Sequence, residues 1–98
     1  MKNGKPSASK PAPERVELGQ YIVADPKICH GKPTFKGTRI MVWQILDELA
    51  NGMTPEQIVK AWGGKVPRAA IAESVQLARV SLLDRGGRLR HPEELAAA

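Results

Sequence analysis

Between residues 51 and 57 the chain reads Asn-Gly-Met-Thr-Pro-Glu-Gln, a helix stop running directly into a helix start. Asn51 and Gly52 tolerate the left-handed backbone that closes a helix. Thr54 suits an N-cap, Pro55 the first helical position, and Gln57 completes a capping box. One helix therefore ends here and a second begins. Upstream, after Ile40, residues Val42, Ile45, Leu46 and Leu49 fall on one helical face. Downstream, a short helix carries Ile58, Val59 and Trp62, and Gly63-Gly64 stops it. Lys65-Val66-Pro67 then leads into the longest helix, roughly Pro67 to Asp84. Its main stripe is Ile71, Val75, Ala78 and Leu82, while Leu77, Val80 and Leu83 lie off it. A helix apolar on more than one side needs a second covering surface. Leu77, Val80 and Leu83 are accordingly the candidate dimer or partner interface.

The N-terminal part is different. Residues 1–15 are rich in Pro, Lys, Ser and Ala and show no apolar periodicity. They cannot bury enough surface to offset their ordering entropy. Tyr21-Ile22-Val23 has strand character and ends at Asp25-Pro26, and Thr34-Phe35-Lys36 is a second short strand closed by Gly37. In 98 residues there is room for one small domain. The expected organisation is a disordered basic tail over 1–17, a folded domain over 18–85 and a flexible C-terminal segment over 86–98. The expected fold is mostly α, with three helices forming the core and a small N-terminal β element beside it.

Charge narrows the function classes only a little. The net charge is +5, and residues 1–15 hold four basic residues against one acid. The rest is close to balanced, so basicity alone does not argue for nucleic acid. The chain has four aromatic residues, Trp43, Trp62, Tyr21 and Phe35, too few for a base-stacking platform. It lacks HExxH, P-loop, GxGxxG and nucleophile-elbow motifs. Asp47-Glu48 are neighbours whose side chains splay apart on a helix. Cys29-His30 with one further distant histidine do not make a zinc set. The chain is expected to be no enzyme and to carry no cofactor, metal or small-molecule substrate. No apolar run approaches the ~18 residues of a membrane span, and the N-terminal lysines precede no signal-like apolar stretch. A cytoplasmic location with no membrane partner is the expectation.

Two stretches remain informative. The short helix, the Gly-Gly turn and the long helix form a helix-turn-helix pattern. The positions that would read bases are Arg68, Ala69, Ala70, Ala72 and Glu73, a poor base-reading set. Lys65, Arg68 and Arg79 are the candidate DNA-phosphate contacts. The second stretch is GKPTFKGTRI, residues 31–40. Gly31 and Gly37 admit backbone barred to other residues, Pro33 stiffens the segment between them, and Thr38 suits a cap for the following helix. Gly31, Lys32, Pro33, Gly37, Thr38 and Arg39 read either as a rigid bent connector or, through Lys32, Lys36 and Arg39, as an anion or partner site.

The run ADPKICHGKPTFKGTRIMV followed by ILDELANGMTPEQIVKAW resembles the domain-of-unknown-function 433 family, from about Tyr21 to Leu83. The matching positions include Gly31, Pro33, Gly37, Thr38, Arg39, Gly52, Pro55 and Ile58. The resemblance implies a homeodomain-like three-helix fold and an antitoxin-like role. The implied partner is a PIN-like nuclease toxin, which such a chain would bind and block. Operator DNA is the further implied partner, and a second copy of the chain is expected because the third helix is apolar on more than one side. This sequence departs from the family pattern at Lys65-Val66-Pro67, where Ser, Thr or Asp would cap the third helix better. The alternative reading is a protein-interaction or dimerisation module with no DNA role, favoured by the alanine-rich start of that helix.

Overall fold

The computed structural model describes residues 14–90. In chain order the elements are β1 (Val16–Glu17), β2 (Ile22–Ala24), β3 (Pro33–Phe35), α1 (Val42–Ala50), α2 (Pro55–Ala61) and α3 (Arg68–Leu82). The strands form one antiparallel sheet in the order β1-β2-β3. Val16 pairs with Ala24 and Ile22 with Phe35.

This corrects the expected mostly α, homeodomain-like architecture. The molecule is a small α+β fold with a three-stranded antiparallel sheet. The sheet contributes to the core rather than standing beside it as an appendage. Ile22 and Phe35 from the sheet pack with Ile40, Val42, Ile45, Ile58, Val66, Ala70 and Ile71 in a single cluster. The sequence concealed this because strands of two or three residues are too short to show a period-two pattern. β1 in particular is only Val16-Glu17, with both side chains exposed. The sheet therefore starts inside the segment expected to be tail. The rest of that expectation, residues 1–13, lies outside the described residues.

Local chemistry explains the helices. In α2 the Thr54 hydroxyl accepts from Gln57 N–H at 3.2 Å, and the Gln57 side chain accepts from Thr54 N–H at 2.8 Å. α1 uses only the return half of such a box: Gln44 Oε1 accepts from Met41 N–H at 2.9 Å. Thr38 does not cap α1, whose N-cap is Met41. Its hydroxyl instead donates to Phe35 O at 2.8 Å and accepts from Ile40 N–H at 3.0 Å. This tightens the turn that carries β3 back toward α1.

The link from α2 to α3 is set by burial as much as by turn chemistry. Gly63 and Gly64 both take positive φ, and Gly64 N–H donates to Val59 O at 2.9 Å, closing the helix. Val66 is then fully buried. α3 starts at Arg68 with no side-chain cap, and the Ala70 and Ile71 amides both donate to Pro67 O. The buried positions of α3 are Ala70, Ile71 and Ser74, with Leu77 packed against the core. Val75 and Leu82, placed on the main stripe from sequence, are exposed. The core-facing side is rotated because α3 must meet β2 as well as α1 and α2.

After α3 the chain turns back on itself. Leu83 bridges Leu89, Asp84 N–H donates to Arg88 O, and Arg90 N–H donates to Leu82 O at 2.7 Å. Residues 86–90, at the start of the segment expected to be flexible, take part in this turn. Residues 91–98 lie outside the described residues.

Candidate functional site

The GKPTFKGTRI stretch does not gather its cations into one anion site. Lys36 Nζ is paired with Glu17 of β1, which Arg15 also contacts at 2.9 Å. The Lys36 hydrogen bond chiefly, with Arg15 beside it, holds the Glu17 carboxyl below its ordinary value. Lys32 is exposed, and Pro33 opens β3. Gly37 has φ 78° at the tip of the β3–α1 turn, where a side chain would be strained.

Arg39 is placed elsewhere, on the wall of an open groove of about 1050 Å³. One side of the groove is the turn Gly37-Thr38-Arg39-Ile40-Met41 with Gln44 of α1, and the other is Ala61, Trp62 and Lys65 at the end of α2. Ile28 completes the lining. Ile28, Ile40, Met41, Ala61 and Trp62 make an apolar surface, and Arg39 and Lys65 are its two cations. The Trp62 indole N–H donates to Glu48 Oε1 at 2.9 Å, which fixes the ring.

Ile28 reaches the groove through an unusual turn. Cys29 (φ 51°), His30 (φ 58°) and Gly31 (φ 83°) are three successive left-handed residues. For a side-chain-bearing residue this backbone costs about 1–2 kcal/mol, and surrounding contacts must impose it. Here the Gly31 and Lys32 amides donate to Ile28 O and Cys29 O, and the Cys29 thiol donates to Arg39 O at 3.6 Å. Cys29 and His30 thus form a left-handed turn tied to the backbone of Arg39 through the Cys29 thiol.

The DNA-phosphate candidates are distributed differently. Lys65 lies in the groove. Arg68 is ion-paired with Glu56 of α2. Arg79 donates twice to Gln76 Oε1, at 3.1 Å each, and stands about 16 Å along α3 from Arg68. Glu73 faces the sheet and not a nucleic-acid surface: its carboxylate accepts from Gln20 N–H and Tyr21 N–H. Of the interface candidates, Leu77 packs on the core, Leu83 is half-buried, and Val80 is exposed together with Val75, Leu82 and Leu89. Reading from sequence missed the groove contributions of Met41, Gln44, Ala61 and Trp62. Of these, only Trp62 carried a signal, as an aromatic at a helix end beside Gly-Gly.

The geometry defines a small α+β domain organised around an open groove with an apolar floor and two cations. Residues 22–75 match the family described as "Protein of unknown function (DUF433)", more than half of the chain, and the chain belongs to that family. The matched span contains every residue that lines the groove. No curated protein and no solved structure matches the chain. Among the described residues no helix is long and apolar enough to cross a membrane.

Proposed function

We propose that this chain is a non-enzymatic, antitoxin-type protein that binds and blocks a PIN-like nuclease, using the groove as its docking surface. The observation that carries the reading is the convergence of Arg39, Met41, Trp62 and Lys65 on one open, partly apolar groove. The class of partner is the one that the resemblance set out above implies. Open grooves with an apolar floor and a few fixed polar groups suit macromolecular segments better than enclosed small molecules.

An additional role on operator DNA has less support. Arg68 is engaged by Glu56, and Glu73 is spent on the sheet. A phosphate-contacting arginine lowers the salt slope of binding by about 0.9 when removed. Arg68→Ala is expected to leave the slope on duplex DNA unchanged.

The direct test is a ribonuclease assay with a PIN-like nuclease co-expressed with this chain. The wild-type chain is expected to suppress cleavage at near-stoichiometric amounts and to co-elute with the nuclease. Undiminished cleavage with excess chain would overturn the proposal.

A further inference from the structure

The lining of the groove carries charge of one sign only. Lys36, Arg15 and Arg68 are each paired with a carboxylate. Among the described residues, Arg39 and Lys65 have no carboxylate partner, and both side chains are exposed. No acidic residue lines the groove. The neighbouring carboxylate, Glu48, is tied to the Trp62 indole. A lining of apolar residues with two cations and no acid is complementary to a segment that carries both apolar and acidic side chains.

We propose that the groove binds an extended acidic-apolar peptide segment of a partner protein, with Arg39 and Lys65 contacting its carboxylates and Met41 and Trp62 its apolar side chains. This rests on reading the groove as a protein-docking surface and adds the chemistry of what docks there.

The test is an NMR titration of the full chain with two hexapeptides, one alternating glutamate and leucine, the other lysine and leucine. The Trp62 indole N–H is the reporter, since Glu48 holds it in one position. The glutamate-leucine peptide is expected to shift that resonance and the Arg39 amide, and the lysine-leucine peptide to leave both in place. The double reversal Arg39→Glu with Lys65→Glu is expected to weaken binding about tenfold. The control reversal Arg85→Glu with Arg88→Glu is expected to change it less than twofold. Equal shifts from both peptides, or binding indifferent to the groove reversal, would overturn the proposal. The two readings fail separately. A nuclease still blocked by the groove reversal overturns this inference and leaves the antitoxin function standing. Peptide binding without nuclease inhibition does the opposite.

Discussion

The Glu73 carboxylate accepts the Tyr21 backbone N–H at 2.8 Å, and its other oxygen accepts the Gln20 N–H at 2.9 Å. One side chain on α3 thus satisfies two amides at the start of β2 and docks the sheet onto the helix. A Cβ added at Gly19 would overlap the same carboxylate. The carboxylate sits on a flexible side chain and can swing away, but only by surrendering both bonds. Hydrogen bonds to a charged group contribute about 1.5–3 kcal/mol, so Glu73→Ala is expected to destabilise the fold by about 2 kcal/mol. Gly19→Ala is expected to be harmful in the wild-type background and nearly neutral beside Glu73→Ala, a coupling that a double-mutant cycle by urea denaturation measures.

A sheet that merely flanks a helical bundle would tolerate truncation, and this one is not expected to. Ile22 of β2 and Ile58 of α2 are both fully buried in the same cluster. Ile22→Ala and Ile58→Ala should each cost about 2–5 kcal/mol. Thermal unfolding that shows a small loss for Ile22→Ala and a large one for Ile58→Ala would contradict the shared core.

Thr34 of β3 is fully buried, and its hydroxyl finds no hydrogen-bond partner among the described residues. A buried, unpaired hydroxyl costs about 1–3 kcal/mol. Thr34→Val keeps the β-branched shape and removes the polar atom. It is expected to raise the melting temperature by roughly 4–8 °C per kcal/mol recovered.

Glu17 provides the pH-dependent element. Its folded-state carboxyl lies below the ordinary value of 4.5, because Lys36 and then Arg15 favour the charged form. A depressed folded pKa means the unfolded chain binds the proton more readily. The stabilisation is therefore present above the unfolded value and lost as pH falls through the folded one. Side-chain NMR titration should give a lower midpoint for Glu17 in the wild type than in Lys36→Ala.

Much of this fold is legible in the sequence where the causes are local. The Thr54–Gln57 box, the Gly63-Gly64 stop and the apolar positions of α1 act within a turn or two, and they leave a readable pattern. Ile22 and Phe35 announce strands through their side chains. The strand Val16–Glu17 leaves no such trace, because its order comes from pairing with Val23 and Ala24 and not from its own residues.

The candidate site divides along the same line. Arg39 stands out in sequence as a five-donor fork in a stiff turn. That it shares a groove with Trp62 and Lys65, while Lys36 three residues earlier is turned to Glu17, is a tertiary outcome. So is the diversion of Glu73 from a helix surface to the Tyr21 amide. Sequence by itself determined the helices, their caps and the residues rich enough in chemistry to matter. Only the packing of sheet against helices decided which of those residues meet, because contacts between distant segments depend on burial and geometry that no local pattern encodes.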